Sequence, residues 1–241
     1  VFTPQKGWWI KMKVIGVIPA RLHSTRFPKK ILHLIEGKPM VAQVYEKACK
    51  AKSLDEVIVA IDADETAEAL KEWKVKTSMT ADDHVSGTDR IYEVVAEMEV
   101  DVIVNIQGDE PTIDPQLIDE LVMQFEDDSI VMATVAGEQM DVENIYDLNT
   151  VKVLLDTEGF AVNFRREPVP HEIGGYYPHM GLYAYKKKIL EQLTNLAPSE
   201  NEKVLKLEQY RAIDNGIPIK VILTGRFSKG IDTIEDLKLF E

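Results

Sequence analysis

The feature that most constrains this chain is an alternation. Short apolar β-rich runs take turns with amphipathic stretches: "VIGVIPA", then "PMVAQVYEKACKA", "EVIVAID", "ETAEALKEW", "KTSMT", "GTDRIYEVVAEM", "VDVIVNIQG", "DPQLIDELVMQFED" and "IVMATVA". Strand and helix in turn predict βαβ units, and so an α/β fold with a mostly parallel twisted sheet and helices on both faces. "VIVNI" is apolar at every position but Asn105, as expected of a strand covered on both sides.

After about residue 150 the rhythm changes. "TVKVLLDTEGFAVNF" and "HMGLYAY" predict longer strands or hairpin partners, so one α/β domain with an inserted or appended lobe fits better than two separable domains. "ENEKVLKLEQYRAIDNG" predicts one helix closed by Gly216, "IPIKVIL" a further strand and "TIEDLKLF" a last helix.

Charge narrows the function. With 41 acidic and 28 basic residues the net charge is −13, which excludes the broad positive surface that nucleic-acid backbones require. Yet "ARLHSTRFPKK", directly after the first strand, gathers Arg21, Arg26, Lys29 and Lys30. The loop matches neither G-x-x-x-x-G-K-[ST] nor G-x-G-x-x-G. It offers guanidinium and ammonium groups, with Ser24 and Thr25 as neutral donors, and so predicts a small anion site; a solvated basic loop is the plain alternative.

The single cysteine, Cys49, lies in a helical pattern and supports neither an internal disulfide nor a metal set. No run approaches the roughly 18 apolar residues of a membrane span. "VFTPQKGWWIKM" lacks the apolar core and cleavage pattern of a signal peptide, which predicts a cytoplasmic protein. Residues 1–12 are set apart as an N-terminal extension, a tail or a vector-derived remnant.

Ligands of open α/β sheets collect beyond the carboxyl ends of the strands, where three charged motifs fall: "ARLHSTRFPKK", "QGDEP" and "GIDTIEDL". In "QGDEP", Gly108 allows close approach, and Asp109 and Glu110 are hard oxygen donors suited to Mg²⁺. Asp232 is either a metal ligand or part of a helix N-terminus. None of His23, His33, His84, His171 and His179 is tied by a motif to a nucleophilic Ser or Cys, so covalent catalysis has no support. A Mg²⁺ site facing a cationic loop suits nucleotidyl transfer by positioning and electrostatics.

From about residue 13 onward the ordered set "IPARLHSTRFPKKIL", "GKPM", "SGTDR", "NIQGDEP", "HMGLYAY", "KLEQYR" and "GIDTIEDL" resembles the 3-deoxy-manno-octulosonate cytidylyltransferases, or CMP-Kdo synthetases. "GKPM" alone is shared by many sugar nucleotidyltransferases; the ordered set is specific. The resemblance implies a Rossmann-like nucleotidyltransferase fold over residues 13–241, with about 150–185 forming a smaller mixed lobe for dimerisation and the sugar pocket. It implies in-line attack of the anomeric hydroxyl of a 2-keto-3-deoxy sugar acid (Kdo) on the α-phosphate of CTP, giving CMP-Kdo and pyrophosphate in a cytoplasmic, Mg²⁺-dependent homodimer of lipopolysaccharide biosynthesis.

By the same resemblance Ala20, Arg21, Ser24, Arg26, Lys30, Ser86 and Gly87 match nucleotide-binding positions, and Asp109 and Asp232 match Mg²⁺ ligands. Arg90, Gln107, His179, Tyr183, Glu208 and Gln209 match positions around the sugar acid. Arg21, Lys30, Asp109 and Asp232 would carry the chemistry. Three departures stand out: Lys29 where the family commonly has Gly, Asn163-Phe164-Arg165-Arg166 where it usually reads Tyr-Phe-Ser-Arg, and a shorter "EPVPHEIGGYYPHMG" segment. The last two, near the sugar pocket in the family, keep open an 8-amino analogue of Kdo or another nonulosonic acid as acceptor. A nucleotide-binding protein without turnover is the reading from another class.

Overall fold

The computed structural model describes residues 12–23, 27–84, 86–169, 175–226, 230–231 and 234–237. Its first half runs β1 (Val14–Ala20), β2 (Leu34–Ile35), β3 (Lys38–Pro39), α1 (Met40–Ala48), β4 (Glu56–Ile61), α2 (Asp64–Leu70), β5 (Thr77–Met79), α3 (Gly87–Val95), β6 (Val102–Asn105), α4 (Pro115–Met123) and β7 (Met132–Gly137). The second half adds α5 (Val142–Tyr146), β8 (Lys152–Leu155), β9 (Ala161–Arg165), β10 (Tyr176–Lys186), α6 (Lys187–Asn195), α7 (Glu200–Leu205), α8 (Gln209–Ile213), β11 (Lys220–Thr224) and α9 (Ile234–Leu237).

Side chains of a strand alternate between faces, and here the alternation sorts the core in two. Val14 and Ile18 of β1 pack with Val41 and Val44 of α1 and Leu117 and Leu121 of α4. Ile15 and Val17 pack with Ile91 and Val95 of α3 and Leu190 and Leu193 of α6. Ile15 and Ile18 are fully buried on opposite faces, and such burial contributes about 1.5–3 kcal/mol per side chain.

The main sheet is ordered β11-β7-β10-β6-β1-β4-β5. β1 pairs in parallel with β4 and with β6, as do β4 with β5 and β11 with β7. β10 is antiparallel to both its neighbours, β6 and β7. The chain steps outward from β1 to β4 and β5, then crosses back to β6 on the other side of β1. That reversal opens a crevice at the carboxyl ends of β1 and β6, where open sheets bind ligands.

β10 serves two layers. Tyr176–Pro178 pair with β8 of the β8–β9 hairpin, while Tyr183–Lys186 pair with β6 inside the main sheet. A register shift between Met180 and Tyr183 separates the two parts. The expected lobe of about 150–185 thus shares a strand with the sheet. Thr134 Oγ1 and Gln107 Nε2 donate to the carbonyls of Leu182 (2.8 Å) and Gly181 (3.1 Å), satisfying the bulge.

The single helix expected from "ENEKVLKLEQYRAIDNG" is two. Lys206 adopts φ 54° and ψ 43°, which ends α7, and α8 starts at Gln209. A nearly buried two-point ion pair folds one onto the other: Arg211 Nε and Nη2 lie 3.0 and 2.6 Å from the Glu202 carboxylate. Gly216, at φ 71°, ends α8 as the sequence indicates. Among the described residues no helix is long and apolar enough to cross a membrane.

Candidate active site

The two charged loops at the crevice meet. Lys30 begins a single 3₁₀ turn, and its Nζ lies 2.5 Å from Asp109 Oδ2. Gly108 makes the approach feasible, since a Cβ there would stand 3.2 Å from the Pro19 carbonyl and 3.4 Å from Ile18 Cγ2. Lys29, the extra cation, turns instead to Glu65 on α2. Arg21 is exposed just beyond buried Ala20 at the end of β1. Ser24, Arg26 and Asp232 lie outside the described residues.

The C-terminal segment reaches the same place. Ile231 N donates to the Asp109 carbonyl at 2.9 Å. Upstream, Arg226 is held on α4 by Asp114 (3.1 Å), Glu120 (2.6 Å) and Gln116 (2.9 Å). A Cβ on Gly230 would stand 3.8 Å from Asp109 Oδ1, so no side chain from that residue fills the space beside the carboxylate. Among the described residues no cluster of three metal-ligating side chains occurs. The Asp109 carboxylate, 25% exposed, is a hard oxygen donor of the kind suited to an ion such as Mg²⁺ that keeps several waters and shares phosphate oxygens.

Near the ends of β1 and β6, at Pro19 and Asn105, lies a cavity of about 160 Å³ lined by Gly87, Gln107, Tyr183, Glu208 and Gln209 among the expected residues. Gln209 Nε2 donates to the Tyr183 hydroxyl at 2.6 Å, and Gln107 Nε2 to Asn105 Oδ1 at 3.2 Å. Burial pushes the Glu208 carboxyl up, against the opposing pull of Thr88, Arg211 and Ser86. Burial likewise raises the Tyr183 and Tyr185 phenols, which therefore remain hydrogen-bond donors.

Other expected residues stand behind the cavity wall. Arg90 is buried, with Nη1 on Thr80 Oγ1 and Nη2 3.3 Å from Asp62 Oδ2; Asp62 also accepts from Leu22 N at 2.9 Å. Arg90 thus braces the start of the cationic loop and does not line the cavity. Ser86 caps α3, accepting from Asp89 N at 3.1 Å. His179 Nε2 lies 2.9 Å from Thr134 Oγ1, and burial, helped by the Arg166 charge, pushes its pKa down to about 3. Its ring rests 5.3 Å from that of Tyr183.

Sequence reasoning missed Asn105, Tyr185, Thr88 and Arg211, which also line the cavity. Asn105 and Tyr185 stand two positions from Gln107 and Tyr183, the strand period that returns a side chain to the same face. That period was the available signal. Met132 and Leu193 supply an apolar wall.

Comparison with known proteins agrees with this geometry. Residues 15–222 match the family model described as cytidylyltransferase. The chain is 42% identical over 240 residues to the 3-deoxy-manno-octulosonate cytidylyltransferase of Syntrophotalea carbinolica, covering 94% of this chain and 96% of that one. The enzyme of that name from Geobacter metallireducens is 41% identical, with 94% and 95% covered. A solved CMP:2-keto-3-deoxy-manno-octonic acid synthetase complexed with CTP superposes with a TM-score of 0.88 at 36% identity, covering 94% of this chain and 96% of the other. By fold, strand-end loops and likeness along nearly its whole length, this chain belongs to the cytidylyltransferases, and among them to the 3-deoxy-manno-octulosonate cytidylyltransferase family.

Proposed function

We propose that the protein joins CTP to a 2-keto-3-deoxy sugar acid, Kdo or a close relative, and releases pyrophosphate. The observation that carries the reading is the Lys30–Asp109 contact at the crevice, together with the cavity that Gln107, Glu208 and Gln209 line. In this reading the cation binds phosphate, the carboxylate holds a metal, and the cavity takes the sugar acid. The relatives' names and the solved neighbour's complex with CTP support both substrates.

In this reading the anomeric oxygen bonds to the α-phosphorus as the bond from that phosphorus to the bridging oxygen breaks. The hydroxyl proton is lost and pyrophosphate leaves. Lys30, with Arg21 and Arg26, neutralises charge growing on the leaving group. Gln107, Tyr183, Glu208 and Gln209 orient the acceptor, and the wall of Met132 and Leu193 limits competing water. Asp109 and Asp232 would hold a magnesium ion, which would supply a Lewis acid easing deprotonation of the attacking hydroxyl.

Residues 13–241 are read as one nucleotidyltransferase domain, acting in the cytoplasm where CTP is made. Exposed Val162 on β9, with Tyr146 and Leu148, supports a homodimer through the β8–β9 side. The deciding experiment measures pyrophosphate from CTP and Mg²⁺ with Kdo, 8-amino-Kdo and N-acetylneuraminate. Release with Kdo or its 8-amino analogue is expected. CTP binding without release from any of the three would sink the reading.

A further inference from the structure

Glu208 and Gln209 line the cavity, and the next residue, Tyr210, is anchored elsewhere. Its hydroxyl donates to the Phe164 carbonyl at 2.8 Å and accepts from Asn163 Nδ2 at 2.9 Å and Phe164 N at 3.3 Å. One O–H and two lone pairs exhaust what a phenol can offer. Among the described residues β9 pairs with β8 alone, and Phe164 is fully buried. Its backbone N–H and C=O therefore depend on Tyr210 for the partners a dry interior demands.

The linkage closes on itself. The Phe164 ring meets His179 edge-on at 5.1 Å, His179 lies 5.3 Å from Tyr183, and the Tyr183 hydroxyl receives Gln209 Nε2 at 2.6 Å. Asn163 extends the tie to β10 by accepting from the Tyr176 hydroxyl at 3.4 Å. Helix α8, only five residues long, is thereby pinned on both sides of the bend that presents Glu208 and Gln209. The circuit runs through α8, β9 and β10.

We propose that the Tyr210 hydroxyl, clasped to β9 through Asn163 and Phe164, is a positioning group that sets Glu208 and Gln209 for the sugar acid and leaves CTP binding untouched. The proposal rests on the acceptor reading above. It also gives Asn163, a departure from the family pattern, a definite task.

The test compares steady-state pyrophosphate release in wild type, Tyr210→Phe and Asn163→Ala, varying Kdo at saturating CTP and the reverse. Losing the hydroxyl strands two buried backbone groups, so the KM for Kdo should rise about five- to tenfold in Tyr210→Phe while the KM for CTP stays within about twofold. Asn163→Ala, which removes one of three bonds, should move the KM for Kdo in the same direction by less. Parallel changes in both KM values, or no change in either, would overturn the proposal. If Tyr210→Phe does not fold, the same ratio measured in Asn163→Ala decides the matter. Absence of release in the wild-type protein would overturn the acceptor reading and, with it, the latch.

Discussion

Lys30 Nζ stands 2.5 Å from Asp109 Oδ2, so two loops separated by 79 positions in sequence meet through one ion pair. Its side chains are 12% and 25% exposed, partly withdrawn from solvent screening. The pair holds a cation at the crevice before any nucleotide arrives.

Removing either partner should therefore injure turnover more than folding. Lys30→Ala is expected to lower kcat by about 10²–10³-fold, the usual loss when one charge-stabilising group is deleted. Asp109→Asn should lose at least about 10²-fold and need more Mg²⁺ for half-maximal pyrophosphate release. Unchanged turnover in Asp109→Asn, across a magnesium titration, would remove the metal role.

The cavity should respond to acid through Glu208. Burial raises its carboxyl, so it takes up a proton at a higher pH than a solvated glutamate. An uncharged Glu208 no longer repels an anionic acceptor, so the KM for the sugar acid should fall as pH is lowered through that range. Glu208→Gln should flatten this limb of the profile. An identical pH profile in wild type and Glu208→Gln would refute the assignment.

Stability should also depend on pH through His179. Its folded pKa of about 3 is depressed from the ordinary 6.5, so below 6.5 the unfolded chain binds the proton more readily. The stability tied to neutral His179 is full above 6.5 and is lost progressively as pH falls toward about 3, with a slope of at most about 1.4 kcal/mol per pH unit. Urea unfolding of wild type and His179→Gln between neutral and mildly acid pH should diverge accordingly. Curves that stay parallel would show that His179 is not buried in neutral form.

Lys206 carries a simpler expectation. At φ 54° it occupies the left-handed region, which costs a side-chain-bearing residue about 1 kcal/mol relative to glycine. Lys206→Gly should raise unfolding stability by about 0.5–1 kcal/mol, less the added entropy of the unfolded chain. Lys206→Val should lower it. Denaturant midpoints check both, and a stability loss in Lys206→Gly would mean that its side chain contributes a contact that outweighs the backbone strain.

Much of the fold is legible in the chain. Apolar runs such as "VIGVIPA" and "VIV" mark β1 and β6, because a strand covered on both faces does not alternate apolar with polar. Helix α1 follows the pattern in "PMVAQVYEKACKA", and Gly216 closes α8 where a left-handed residue is required. The cationic loop and "QGDEP" announce a site because both follow strands at the ligand-binding edge.

What is not legible depends on contacts between distant positions. The string "SGTDR" gives no sign that Arg90 meets Asp62, 28 positions away in sequence. Tyr210 looks like one more aromatic in a helix, yet its hydroxyl completes a strand edge 46 positions away. No local pattern distinguishes these partners from others equally polar.

The sequence by itself determined the element types, the two-faced burial of the central strands and the charge of the loops beyond them, because each follows from the period and chemistry of neighbouring residues. Only the tertiary structure decided that β10 enters antiparallel between β6 and β7, that the helix breaks at Lys206, and that the Tyr210 hydroxyl bonds to the Phe164 backbone. Those outcomes depend on which sheet edges and buried polar groups remain to be satisfied once the chain has packed.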